Sequence, residues 1–225
     1  QSSIACMWGK TQEATALLVA LNYFCQSDPG FVLEEVGLCG AGLKVNQTDE
    51  HSLLVGATPD GILRHSDGRI EALEVKNHCP FYVPYYRKGT SNYKKFNVGL
   101  RTFSEMDIPL VSAHYVPQLQ LEMLCLGPEC RSAVMVRLTA TRGALIMRMH
   151  RDDEWIDEMC YWLLKFQNDF VKRGRPPPAD HFWNSTRYQK FVHRTKELCE
   201  QNVEMVDQVP HEMIQRSGDR LFFLD

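Results

Sequence analysis

The sequence predicts a mixed α/β domain with a central sheet flanked by helices. Three observations lead there. Apolar spacing switches between helical and strand periods in the order helix, strands, helix, strands, helix. Two pairs of strand-like runs are joined across short turns, at Asp67-Gly68 and at Arg142-Gly143. With 44% hydrophobic residues the 225-residue chain can bury a sizeable core, and its 24% charged residues are ordinary for a globular domain.

Bulk properties exclude some partners. A net charge of −3 gives no overall attraction to nucleic acid or membrane, so an anionic partner must be met by a local patch. No apolar run approaches the ~18 residues that span a bilayer, and no secretory signal is visible. The start at Gln1 instead of Met reads as a trimmed or processed form. The eight cysteines are scattered and form no CxxC pair. Cys125 and Cys130, or His78 beside Cys79, give no tetrahedral zinc pattern. Reduced, mostly buried thiols of an intracellular protein are therefore expected.

Each element has its own signal. Ala14, Leu17, Leu18, Leu21 and Cys25 recur at helical spacing behind Thr11 as N-cap, and "DPG" (28–30) stops that helix. "FVLEEVGLCG" (31–40) reads as a strand entering a turn, and 53–77 as a hairpin. An aromatic and basic loop over 80–104 follows, punctuated by Pro80, Pro84 and Gly89. Residues 117–126 read as a helix, with Pro117 in its first turn and Gly127-Pro128 as its stop. "SAVMVRL" (132–138) and "ALIMRMH" (144–150) form a second hairpin. Residues 152–173 are an amphipathic helix with acids at its start and bases at its end, stopped by "GRPPP". The polar segment 179–225, partly helical around 187–206, carries no recognisable role. The division expected is a domain over 1–178 and a C-terminal extension over 179–225.

The chemistry concentrates in the first hairpin. If Ser66-Asp67-Gly68 form a three-residue loop, His65 opposes Arg69 and Asp60 opposes Glu74; a two-residue loop shifts this by one position, so the pair stays close either way. Directly opposed residues stand ~5 Å apart at Cβ, where like charges repel. Glu74 and Lys76 share one face. A solvated face with a Glu–Lys pair worth a few tenths of a kcal/mol would account for part of this. Pro59 breaks the ladder just before Asp60, however, and the apolar run "ALEV" around Glu74 marks a buried strand, where an unpaired carboxylate is costly. Two carboxylates and a strand carbonyl suit Mg²⁺, and a lysine beside them can position or deprotonate an attacking water. Those are the parts of a phosphodiester hydrolase.

Pro59, Asp60, Glu74, Val75 and Lys76 together resemble the PD-(D/E)xK signature of the restriction-endonuclease-like nucleases. "WGKTQE" (8–13), "TPDG" (58–61), "EVKNHCPF" (74–81) and "YVPQLQ" (115–120) are similar, in that order, to the motifs of the phage lambda exonuclease and YqaJ recombinase branch. The resemblance covers about residues 5–178. It departs at the two residues inserted before Cys79 and at Pro117. It implies a restriction-endonuclease-like core and a Mg²⁺-dependent nuclease, with Mn²⁺ able to substitute. The implied reaction is exonucleolytic, 5′ to 3′ on linear duplex DNA or on single strands, in recombination, repair or DNA degradation.

By the same resemblance Asp60, Glu74, the Val75 carbonyl and Glu13 hold the metal. Lys76 serves the nucleophilic water, and Gln118 orients the lysine or a phosphate. Taken without the resemblance, Glu13 is an acid in a helical first turn and Gln118 a surface glutamine. Gln120, its neighbour in the motif, lies about 200° away round the helix. Two alternatives stand beside the exonuclease: an endonuclease of the same fold on DNA or RNA, and a catalytically silent nucleic-acid-binding module. Assembly with further copies or a partner protein would fall to the C-terminal segment.

Residues 85–101 carry Arg87, Lys88, Lys94, Lys95 and Arg101 without an acid, interleaved with Tyr85, Tyr86, Tyr93 and Phe96. Between Lys76 and Gln118 that mixture suits a phosphate track with base-stacking partners better than a solvated loop.

Overall fold

The computed structural model describes residues 2–40, 53–82, 99–100, 111–140 and 142–214. Helix α1 (Ser2–Ser27) begins well before the expected cap. Thr11 is an interior residue whose hydroxyl donates to the Met7 carbonyl one turn back, at 2.8 Å. The helix ends where expected, and Asp28 then accepts the Ser66 N–H at 2.9 Å, tying the turn after α1 to the first hairpin.

Six strands form the main sheet: β1 (Val32–Glu34), β2 (Gly61–Arg64), β3 (Ile70–His78), β6 (Cys130–Thr139), β7 (Gly143–His150) and β8 (Val203–Val209), in the order β1-β2-β3-β6-β7-β8. Two short strands, β4 (Phe81–Tyr82) and β5 (Gly99–Leu100), pair separately. Neighbours in the main sheet are antiparallel except β3 and β6, which run parallel. Helix α2 (Val116–Leu126) lies in the crossover between them. The predicted mixed sheet flanked by helices is the observed architecture.

Helices cover both faces, which is why the central strands read as continuous apolar runs. On one face α1 packs Ala16, Val19, Ala20 and Phe24 over Leu73, Val75, Val134, Val136 and Ile146. On the other, Val116, Leu119 and Met123 of α2 meet Ala72, Ala133, Met135, Met147 and Met149, with Ile156 and Met159 of α3 (Asp153–Phe166) behind them. Asp152 caps α3, its carboxylate accepting the Trp155 N–H at 2.8 Å. The expected long helix is in fact α3 followed by a π-helical turn, Gln167–Val171. The buried Gln167 there accepts the Leu54 N–H at 2.8 Å.

Residues 186–201, within the expected C-terminal extension, form α4 (Thr186–Gln201), which packs on α3. Phe191 stacks on Trp155 at 4.9 Å, and the Trp155 indole donates to Thr195 at 3.0 Å. The helix expected to reach 206 stops at Gln201, because 203–209 pair with β7 as β8. The expectation of mostly buried thiols is corrected: all eight cysteines are free, but only Cys130, Cys160 and Cys199 are buried, while Cys6 and Cys25 are exposed. Among the described residues no helix is long and apolar enough to cross a membrane.

One buried ionic network braces the sheet. Glu71 is fully buried and accepts from Arg148 Nε at 2.7 Å, from Ser132 Oγ, and from His65 Nε2 at 2.8 Å in the tautomer that carries its proton there. Arg148 also reaches Glu204 of β8 at 2.8 Å. Burial pushes the Glu71 carboxyl up, but its bonds to Arg148 and Ser132 outweigh that and hold it below the usual carboxylate range.

Candidate active site

The turn sets the register of the hairpin. Gly68 adopts φ +88° and closes the three-residue loop, with the His65 N–H on the Arg69 carbonyl and the Gly68 N–H on the His65 carbonyl, each at 3.0 Å. Pairing then runs to Gly61 opposite Leu73, which puts Asp60 level with Glu74, as the loop length predicts. At Asp60, following Pro59, the chain has left the ladder. The Asp60 carboxylate takes the place of a backbone acceptor and receives the Val75 N–H at 2.7 Å. The proline thus aims the side chain across the end of the hairpin.

Alternation along β3 sends Leu73 and Val75 toward α1 and Glu74 and Lys76 toward α2. Glu74 is 4% exposed. Its Oε1 pairs with the Lys76 ammonium, which lies 5.2 Å from the centre of the Tyr115 ring. Its Oε2 is buried without a hydrogen-bond donor. Helix α2 adds two further side chains. Gln118 donates to Glu122 Oε1 at 2.9 Å, and Glu122, 1% exposed, keeps a second buried oxygen without a donor.

Electrostatics follow from that crowding. Burial raises the Glu74 carboxyl, the Asp60 charge adds to the rise, and Lys76 pulls it back. Burial, and then the charge of Glu74, push Glu122 up to about 8. A buried acceptor left unsatisfied costs roughly 1–3 kcal/mol, more if charged. A shared proton or a cation would relieve it. The two orphaned oxygens, of Glu74 and Glu122, are hard donors of the kind a divalent cation takes. Among the described residues no three His, Cys, Asp or Glu side chains are gathered as a ready metal cluster. The fit therefore rests on the orphaned oxygens of Glu74 and Glu122.

The structure brings together Asp60, Glu74, Val75 (through its N–H), Lys76 and Gln118. Glu13 is exposed on α1, the helix on the other face of the sheet, and makes no hydrogen bond to Asp60, Glu74 or Lys76. The nearest tie is Asn77, at the end of β3, which donates to the Gly9 carbonyl at 2.9 Å. Gln120 is a structural residue: buried, it donates to the His150 carbonyl at 2.9 Å and accepts the Asp152 N–H at 3.0 Å. Arg87, Lys88, Tyr93, Lys94, Lys95 and Arg101 lie outside the described residues.

Two members escaped the sequence reading. Glu122 follows Gln118 at i+4 in "QLQLE", a spacing that puts both on one helix face and could have flagged it. Arg137 stands level with Lys76 on the neighbouring strand and donates to His78 at 3.2 Å. Only the parallel pairing of β3 with β6 puts it there.

No protein-family model matches the chain, and no curated protein matches it. Among solved structures it is similar to the crystal structure of an alkaline exonuclease (LHK-Exo) from Laribacter hongkongensis, at 18% identity and a TM-score of 0.42, over 76% of this chain and 73% of that one. The chemistry has to be read from the geometry of the carboxylates and the lysine.

Proposed function

We propose that the chain is a divalent-cation-dependent nuclease that hydrolyses phosphodiester bonds at the open end of the β2–β3 hairpin. The observation that carries the reading is the buried, unpartnered Oε2 of Glu74, with Asp60 level with it and Lys76 on its other oxygen. Asp60, Glu74 and Glu122 would hold the cation, with the Val75 carbonyl as a further ligand by resemblance. Mg²⁺ is the ion proposed, with Mn²⁺ substituting; when bound, it would polarise the phosphate and stabilise the leaving oxygen.

The chain's own groups do the rest. Lys76 is held by Glu74 and the Tyr115 face, so its nitrogen is positioned to orient a water as the ammonium and, as the neutral amine, to take that water's proton. Asp60 is fixed by the Val75 N–H and does not need to reorganise. Gln118 is braced by Glu122. The motif resemblance supports DNA as the substrate and an exonucleolytic mode.

The test is cleavage of end-labelled linear duplex, closed circular DNA and single-stranded RNA, with Mg²⁺, Mn²⁺ or EDTA, by wild type and Lys76→Ala. Metal-dependent loss of label from linear DNA alone, abolished in the variant, supports the exonuclease. Nicked circles or cut RNA would move the assignment to an endonuclease. Absence of cleavage would refute the proposal.

A further inference from the structure

Beside the carboxylates opens a cavity of about 860 Å³, and its walls are aromatic. Trp162, Phe166, Phe182, Trp183 and Tyr188 line it, and Thr58, Gln118, Glu122, Asp180 and His181 are its polar lining. The aromatic walls are ordered against one another: Trp162 lies 4.9 Å from Phe182 and meets Tyr188 edge-on at 5.0 Å. Two of the rings keep free surface, with Trp183 53% exposed and Phe166 36% exposed.

We propose that this cavity is a subsite for an unpaired nucleobase of the strand being cut. The inference rests on the nuclease reading, because the cavity and the carboxylate site share Gln118 and Glu122. Whatever enters it is therefore joined to what is hydrolysed. The size suits a ligand of a few hundred daltons, not the blunt end of a duplex. Flat aromatic walls complement the faces of a base, and every base has one. Gln118 also lines the cavity, and its amide offers an acceptor and a donor to the polar edge of a base. An aliphatic peptide side chain would use neither the rings nor the acceptor. The substrate class that follows is a strand with unstacked bases: single-stranded nucleic acid, or a duplex end that has frayed.

The experiment compares binding of strands of equal length and phosphate count, one with bases and one abasic, by fluorescence anisotropy in EDTA. Wild type and Trp183→Ala are measured, with Phe166→Ala as a second variant and a melting curve to show that each folds. Deoxy and ribo versions of the intact strand tell which kind of nucleic acid supplies the base. Stacking is worth about 1–3 kcal/mol per base, so wild type should bind the intact strand about 5- to 150-fold more tightly than the abasic one. Trp183→Ala should lose about fivefold or more on the intact strand and nothing on the abasic one. Equal loss on both strands, no loss on either, or no binding by wild type would overturn the subsite. The last two results would leave the groove to another occupant, such as an apolar peptide. Base-dependent binding without cleavage in Mg²⁺ would refute the nuclease and keep the subsite; cleavage indifferent to bases would do the reverse.

Discussion

At the scale of single residues, the candidate site comes down to three carboxylates and one ammonium. Lys76 pairs with Glu74 and faces the Tyr115 ring. Its replacement by alanine should lower turnover by about 10²–10⁴-fold, as expected for loss of a positioned proton-transfer group, with the fold intact by circular dichroism. Glu122 offers a pH signature. Its carboxyl is raised to about 8, so the folded chain binds a proton there more tightly than the unfolded chain does. The stability this gives is present below pH ~4.5 and is lost as pH rises through about 8. Glu122→Gln should therefore melt higher than wild type at pH 8 by a few degrees, worth on the order of 1–2 kcal/mol, and the gain should vanish near pH 5. A melting temperature of the variant that tracks wild type at every pH would contradict this. Glu122 was within reach of the sequence, since Gln118 and Glu122 share a helix face, but the face that α2 turns to β3 was not.

Elements explain why the site stays rigid. The register of β2 and β3 was legible because Asp67-Gly68 can close only a short loop, and a one-residue slip would turn every buried side chain outward. What the sequence did not show is the clamp at the other end of that hairpin. Glu71 ties β3 to Arg148 of β7, and Arg148 ties on to Glu204 of β8. Arg148→Ala leaves Glu71 buried without its cation and should cost about 3–5 kcal/mol in denaturant unfolding. Adding Glu71→Gln should recover much of it. Glu71 itself is depressed, so its contribution is present above the unfolded carboxylate range and disappears as pH falls through its folded value. Gly143 is a second fixed point: at φ +86° its added Cβ would lie 2.0 Å from the Val209 carbonyl. Gly143→Ala should loosen β8 and speed amide exchange over 203–209.

For the whole molecule, the sheet with helices on both faces, its two hairpins and the parallel crossing of β3 and β6 bring residues far apart in sequence to one edge. Most of this was legible, because buried strands keep an apolar run and helices keep their period. The part that was not is β8. "VEMVDQV" alternates too weakly to announce a strand, and only its pairing with β7 decides the matter. Removing residues 179–225 would strip α4 from Trp155 and β8 from the sheet edge. Such a chain should lose cooperative thermal unfolding, and a sharp transition equal to that of the full chain would contradict the account. The basic residues between 87 and 101 belong to the same scale, as the counterweight to a chain of net charge −3.

The measurement that bears most directly on the central claim is the Mg²⁺ dependence of cleavage of a labelled linear strand by wild type and Glu74→Gln. The account predicts no product in EDTA, a rate that saturates with Mg²⁺ for wild type, and loss of about 10²-fold or more in the variant. Cleavage that persists in EDTA, or that is the same with and without the Glu74 carboxylate, would contradict it.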